Sequence, residues 1–287
     1  MNRESVVICG ATGYLGRAVV RAAHRAGHRV RALARNEAGL APVRTACAEV
    51  FVGEATRPHT LAGLFEGATL AFSSIGTRSF GRRPTIWQVD RDANLALVEA
   101  AEAAGVRCFV FVSVFGGADL RARVAVAEAR EQVVDRLRAS PMTSVIIRPT
   151  GFFNDMKEVF EMAHRGRVWV VGTGDTALNP IHADDLAKRV VEYFDARASL
   201  EVDVGGPDRF TQLDVGHLAF SALNRPARFG HVSPTIMRLA ARVTRPFNAN
   251  ASAFLELFAS LGDRDALAQP VGQRRLQEQM ERWAAST

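Results

Sequence analysis

The chain has 287 residues, 48% of them hydrophobic, and a formal net charge of +6 carried mostly by arginine. That length and apolar share suit one large α/β domain, or one with a small appendage. No apolar run approaches the roughly 20 residues of a membrane helix. The first strand-like run starts too early to leave room for a secretory leader. The three widely spaced cysteines, Cys9, Cys47 and Cys108, suggest neither a disulfide framework nor a metal site. The basic residues are mixed with acids along helix-like stretches, with no basic run interleaved with aromatics, which argues against nucleic acid as a partner. The expectation is a cytoplasmic monomer or homodimer with no membrane partner.

The N-terminal half alternates strand-like and helix-like segments. Val6–Cys9 predicts the first strand, and Tyr14–Ala26 a helix with Leu15, Val19, Val20 and Ala23 on one face. His28–Ala34 and Glu49–Val52 predict the second and third strands, Leu61–Phe65 a short helix, and Thr69–Ser73 the fourth strand. Thr85–Ala104 reads as one long helix stopped by Gly105. Arg107–Ser113 is the fifth strand, Leu120–Ala139 a helix, and Ser144–Arg148 the sixth strand. Continuous Val, Ile and Phe runs bounded by helices imply a parallel sheet buried on both faces, and right-handed crossovers then wind it doubly.

After Pro149 the pattern loosens. Phe152–His164 predicts a helix, Arg167–Val171 and Asn179–His182 short extended pieces, and Asp184–Ala196 a helix capped by Asp184. Glu201–Val204 reads as a strand, and Thr211 caps a helix running to Leu223. Three more helices are expected near Ser233–Val243, Ala249–Ser260 and Gln273–Ala284.

The segment Gly10-Ala11-Thr12-Gly13-Tyr14-Leu15-Gly16 follows the first strand and opens the first helix. A glycine-rich turn at a helix N-terminus exposes backbone N–H groups and adds the helix dipole, which together make a pyrophosphate site. Gly10 allows the tight turn, Gly13 the approach of a phosphate, and Gly16 close packing of helix on strand. Arg35 ends the second strand, 19 positions after Gly16, where a chain binding the unphosphorylated dinucleotide carries an acid for the ribose hydroxyl. Nothing acidic occurs between His28 and Asn36. Arginine there grips a 2′-phosphate, so the expected cofactor is NADP(H). Glu54, beyond the third strand, either faces the adenine edge or starts a helix. The chain then divides into a 1–150 NADP-binding Rossmann domain and a 151–287 substrate-binding cap region, partly interleaved with the sheet. Ligands sit at the carboxyl ends of parallel strands, so the site is expected between the tail region and the sheet.

With this opening turn, Val89-Asp90 followed by Asn94, and Phe109-Val110-Phe111-Val112-Ser113, the chain resembles the NmrA-like branch of the atypical short-chain dehydrogenases. The resemblance continues through Arg148-Pro149-Thr150-Gly151-Phe152-Phe153, Pro180 to Ala187, and Gly205-Gly206-Pro207. These last three are similar to the divinyl chlorophyllide reductase-like and isoflavone reductase-like members. The resemblance implies a doubly wound Rossmann sheet that binds NADP(H), with a small C-terminal substrate cap.

The family's usual proton donor is the tyrosine of a Tyr-x-x-x-Lys pair, set on one helix face. This chain has two tyrosines, Tyr14 in the phosphate turn and Tyr193, with Arg197 four positions on. Alignment with the family puts Val126 at the tyrosine position and Arg130 at the lysine position; a shift of one brings in Glu131. The usual donor is absent on this reading, and Arg130 either binds ribose or phosphate or is a solvated helix arginine. Ser113, ending the fifth strand, is expected at the nicotinamide end. Ser73 and Ser74 either line the ribose–phosphate path or form a turn. Thr150, Gly151 and Phe152 meet the nicotinamide carboxamide in the family, or simply rigidify a strand exit. His182 with Asp184 and Asp185 invites a catalytic reading, but a strand-end histidine before a helix cap is preferred. Lys157 is a candidate substitute acid. Phe152, Phe153, Phe160 and Trp169 line an apolar substrate pocket or belong to the core. The resulting expectation is reduction of an enone, quinone or carbonyl, the substrate being small and apolar or aromatic. The rival is a redox sensor or assembly factor that binds the dinucleotide without turnover.

Overall fold

The structure is a computed structural model and describes residues 4–77 and 80–286. The chain forms two compact units. Among the described residues, the first comprises 4–77, 83–148 and 186–202; the second comprises 80–82, 149–185 and 203–286.

The first unit is built on parallel strands. These are β1 (Ser5–Cys9), β2 (Arg29–Ala34), β3 (Glu49–Val52), β4 (Leu70–Ser73), β5 (Cys108–Val112) and β6 (Thr143–Pro149), with Leu200–Val202 of β9 (Leu200–Gly205) at the edge. Within this unit the strand order is β9–β6–β5–β4–β1–β2–β3, and in the second unit β12 (Gln269–Pro270) pairs in parallel with Val204 and Gly205 of β9. Register runs Val6 to Val30 and Leu70, and Phe72 to Val110. Val6, Val7, Ile8 and Cys9 are wholly buried, as the unbroken apolar run requires of a central strand covered on both faces. After β3 the chain returns past β1 to lay down β4. The crevice between the carboxyl ends of β1 and β4 is therefore the topological switch point at which doubly wound sheets bind ligands.

Helix α1 (Tyr14–Arg25) buries Leu15, Val19, Val20 and Ala23, the face expected from their spacing. The predicted Thr85–Ala104 helix divides. Trp87–Asp92 is a π-helical turn, and α2 (Ala93–Ala103) continues to Gly105. The helix expected over Leu120–Ala139 starts later, as α4 (Ala125–Arg138), and a separate short helix, α3 (Gly117–Leu120), precedes it. Two 3₁₀ segments occur, Glu37–Ala46 in a stretch for which no element is expected, and Pro58–Leu61; the expected Leu61–Phe65 helix does not form, because the chain turns after Leu61 with Gly63 at φ +80°. The core gathers Leu64, Leu97, Phe109, Phe111, Val133 and Leu137 around the sheet.

The second unit contains α5 (Phe153–His164), β7 (Val168–Val171), β8 (Ala177–Leu178), β10 (Phe210–Thr211), α7 (Gln212–Ala222), β11 (Phe229–Val232), α8 (Pro234–Thr244), α9 (Ala249–Ser260), β12 (Gln269–Pro270) and α10 (Leu276–Ala285). Helix α6 (Ala183–Tyr193) runs through the boundary between the units. β11 pairs in parallel with β7, and β10 antiparallel with β8. Thr211 caps α7 through a reciprocal bond with Asp214, as expected. Phe153, Phe160, Val168, Phe220, Leu276 and Met280 form this unit's core, so Phe153 and Phe160 are core residues, while Trp169 is exposed. The tail's keystone is Asn179. Its amide donates to the Gly206 and Ala268 carbonyls and accepts from the Ala268 N–H.

Candidate dinucleotide site

The glycine turn sits at the switch point. Gly10 has φ +85°, a conformation that favours glycine, and a Cβ there would press on Ser74 Oγ and the Ile75 N–H. A Cβ on Gly16 would overlap the Gly10 carbonyl oxygen, so helix and turn touch backbone to backbone. Gly13 is exposed and caps α1 without a side chain, and the first turn of α1 holds no acid. The positive end of this helix therefore has no internal carboxylate to neutralise it. Leu15 and Gly16 are buried in the packing of the turn, whereas Thr12 is exposed. A Cβ on Gly39 would lie 3.0 Å from the Thr12 methyl, so the segment after β2 closes against the turn. Asn36 starts that segment by accepting the Gly39 N–H at 3.0 Å. Arg35, one residue earlier, is exposed on the same rim. Glu54 lies beyond β3, where it accepts the Thr56 hydroxyl and pairs with Arg57.

The loop after β4 is fastened by the Val89-Asp90…Asn94 motif. Ser73 is fully buried and donates its hydroxyl to Asn94 Oδ1 at 2.6 Å. The Asn94 amide donates to the carbonyls of Ile75, Val89 and Asp90. The π turn breaks the regular helical ladder, and this amide joins it to the loop after β4. Asp90, buried to 1% exposure, accepts the Thr77 N–H and pairs with Arg130 at 2.8 Å. Arg130 also donates to the Val112 and Ile75 carbonyls, tying the ends of β4 and β5 together. Its guanidinium is thus engaged with the protein, and it is not a solvated helix arginine. Ser74 faces Gly10 across the crevice. The Thr77 hydroxyl oxygen in this loop is buried without a hydrogen-bond partner. A backbone cradle closed to side chains and an orphaned hydroxyl fit a phosphate-bearing group.

At the end of β5, the Ser113 hydroxyl donates to Glu131 Oε1 at 3.1 Å. Glu131 is wholly buried and paired with Arg148 at 3.1 Å, which in turn pairs with Glu201 at 2.7 Å. The Arg138 guanidinium beside Glu201 holds that carboxyl below its usual range, helped by Arg148. Either register of the helix alignment leaves an apolar residue at the tyrosine position, Val126 or Ala127, both buried. Tyr193 lies at the end of α6 with the Arg189 guanidinium 5.3 Å from its ring centre.

In the second unit, the Thr150 hydroxyl donates to the Asn179 carbonyl at 2.7 Å, and Phe152 pairs with Ile181 as a β-bridge. Gly151 lies between them at φ +154°. Lys157 is exposed on α5. His182 Nδ1 accepts the Asp184 N–H at 3.1 Å, so the ring itself serves the cap expected of Asp184. Burial pushes the His182 pKa down against the opposing pull of Asp184. Asp185 accepts the N–H groups of Gln273 and Arg274 and anchors that segment.

Sequence reading missed Thr77, for which no pattern speaks, and the partners of Glu131. It saw Asp90 and Asn94 as a motif without a role.

The doubly wound sheet with a glycine cradle at its switch point defines a dinucleotide-binding Rossmann protein. The chain belongs to the NAD(P)H-binding family, whose match covers residues 10–197. It is 31% identical over 264 residues to divinyl chlorophyllide a 8-vinyl-reductase of Oryza sativa subsp. indica, covering 83% of this chain and 64% of that one. It therefore spans less than two thirds of that relative's length. The photosystem II assembly factor Ycf39 of Trieres chinensis is 25% identical over 269 residues, 92% of this chain and 81% of that one. Among solved structures, the NADPH-dependent quinone oxidoreductase of Escherichia coli, complexed with NADPH, superposes with TM-score 0.72 at 15% identity. That match covers 97% of this chain and 99% of the other, and at this identity it speaks to fold alone. Among the described residues, no helix is long and apolar enough to cross a membrane.

Proposed function

We propose that the protein is an NADP(H)-dependent reductase of a small apolar enone, quinone or carbonyl compound. The observation that carries this reading is the cradle at the switch point, with exposed Arg35 on its rim and no acid between His28 and Asn36. Gly10, Thr12, Gly13, Tyr14, Leu15 and Gly16 would hold the pyrophosphate, Arg35 the 2′-phosphate, and Ser74 with Thr77 the adjoining sugar–phosphate path. Thr150, Gly151 and Phe152 are proposed for the carboxamide end. Bound NADPH supplies a hydride; an acceptor needs a proton as well.

Arg130 and Ser73 act as positioning residues, because their polar groups hold the loops that frame the cradle. Ser113, held by Glu131, orients the reacting end. With Val126 or Ala127 at the tyrosine register, the proton reaches the acceptor from water, from the acceptor's own acidic group, or from Lys157. Reduction of a double bond or a quinone tolerates this better than alcohol oxidation, where an active-site base is hard to replace. The reductase names among the relatives support this reading.

The same missing donor, together with the assembly-factor relative, favours a second reading, a dinucleotide-binding sensor without turnover. Incubation with NADPH and a panel of enones, quinones and aldehydes separates them. Oxidation of NADPH by at least one acceptor is expected. Tight cofactor binding with no oxidation by any of them would replace the enzyme by the sensor.

A further inference from the structure

Helix α8 is amphipathic in the sense opposite to that of an ordinary surface helix. Its inward face is Met237, Ala241 and Thr244, small or half-buried residues packed on α9. Its outward face carries Ile236, Leu239 and Val243 at i, i+3 and i+7, followed by Phe247, with exposures of 65%, 60%, 64% and 70%. Single exposed apolar side chains are ordinary, but a row of four large ones along one face is not.

A second stripe runs beside the first. Arg238, Arg242 and Arg245 recur at i, i+4 and i+7, and Pro234–Asn248 contains no acid. Arg238 is paired with Asp263. Arg242 and Arg245 are exposed, with half-buried Glu256 of α9 as the neighbouring carboxylate.

Apolar side chains flanked by long cations match the boundary of an anionic lipid layer. The row enters the acyl edge, while the arginines reach up to the headgroup phosphates. A second copy of the chain is a poorer occupant. A two-fold interface sets each patch against itself, so the arginine stripes would face one another across the contact. One three-turn helix also offers less than the roughly 800 Å² per partner of a stable dimer.

We propose that α8 and the adjoining Phe247 form a monotopic docking face for anionic membrane surfaces. Such a face lies on a membrane without spanning it, because its apolar residues form a stripe and not a continuous run. The proposal is independent of the reductase reading.

The test is flotation of the full chain with phosphatidylcholine vesicles and with vesicles of equal parts phosphatidylcholine and phosphatidylglycerol. Binding to the anionic vesicles is expected to exceed binding to the neutral ones by about tenfold or more, and to fall with added salt. The combined variant Ile236→Ser, Leu239→Ser, Val243→Ser, Phe247→Ser is expected to lose about tenfold or more in partitioning. These side chains are exposed, so its thermal melt should match the parent and its lost binding is not lost folding. Arg242→Gln with Arg245→Gln is expected to remove the preference for anionic lipid. Failure of the parent chain to float with anionic vesicles, or equal flotation of the serine variant, would overturn the proposal. So would a parent dimer in sedimentation velocity that the serine substitutions dissolve, which would assign the face to self-association.

Discussion

Arg130 and Asp90 show how a site is built by side chains that need not touch its ligand. The Arg130 fork joins the carbonyls of Ile75 and Val112, and Asp90 is its buried counter-ion. The helix pattern identifies an arginine at this position but does not show what it holds, since Val112, Asp90 and Ile75 lie 18, 40 and 55 residues away in sequence. Glu131 is similar: neighbouring residues in the sequence do not reveal that Arg148 and Ser113 converge on it.

His182 carries a prediction at this scale. Its ring packs edge-on against Phe153 at 5.4 Å and accepts a backbone N–H, an arrangement suited to the neutral form. Burial, the largest influence, sets its folded pKa below the ordinary 6.5. Above that pH both folded and unfolded chains hold it neutral. As pH falls from 6.5 toward the folded pKa, the unfolded chain takes up a proton that the folded chain does not, so stability declines. His182→Asn keeps an acceptor for the Asp184 N–H and removes the titration. Urea midpoints measured from pH 7 to 5 should fall more steeply for the parent than for the variant. Equal slopes would show that His182 is not held neutral.

At the scale of elements, the glycine turn and α1 act as one piece, because Gly16 packs against the Gly10 carbonyl. Gly16→Ala must push backbone from backbone, which no side-chain rotation relieves. The expected cost is about 1–3 kcal/mol of stability. NADPH affinity should fall as well, because the turn that forms the cradle shifts. Denaturant unfolding and a fluorescence titration of NADPH measure the two; unchanged values in both would show that the close approach has no role.

This turn was legible because glycine, strand and helix signals coincide over a few residues. The π turn at Trp87–Asp92 was not. Helical periodicity does not separate one extra residue per turn from an ordinary helix, and the Asn94 side chain that braces it is recognisable only once Ile75 is beside it. The 3₁₀ segment Glu37–Ala46 carries Gly39 and Pro42, both poor helix formers, and so offers no helical signal between β2 and β3. In the second unit, the two-residue strands Ala177–Leu178 and Phe210–Thr211 are too short for alternation to register, whereas Val168–Val171 falls within the extended piece expected over Arg167–Val171.

At the scale of the whole molecule, the strand order β3–β2–β1–β4–β5–β6 follows from alternating buried strands and helices joined by right-handed crossovers. That order places Gly10, Ser74, Thr77 and Ser113 at the carboxyl ends of the strands. Those local signals were enough to expect the sheet and the cradle. The acceptor of the proposed reduction is a different matter, since pocket chemistry in this fold is set by loops whose pattern carries no general code.

The central claim is that this cradle selects the 2′-phosphorylated dinucleotide through Arg35. Calorimetric titration of the parent chain and of Arg35→Asp with NADPH and NADH tests it directly. The parent should bind NADPH at least about tenfold more tightly than NADH, and Arg35→Asp should weaken NADPH by about 1.5–3 kcal/mol while leaving NADH little changed. Equal affinities of the parent for the two dinucleotides, or an unchanged NADPH dissociation constant in Arg35→Asp, would contradict the account.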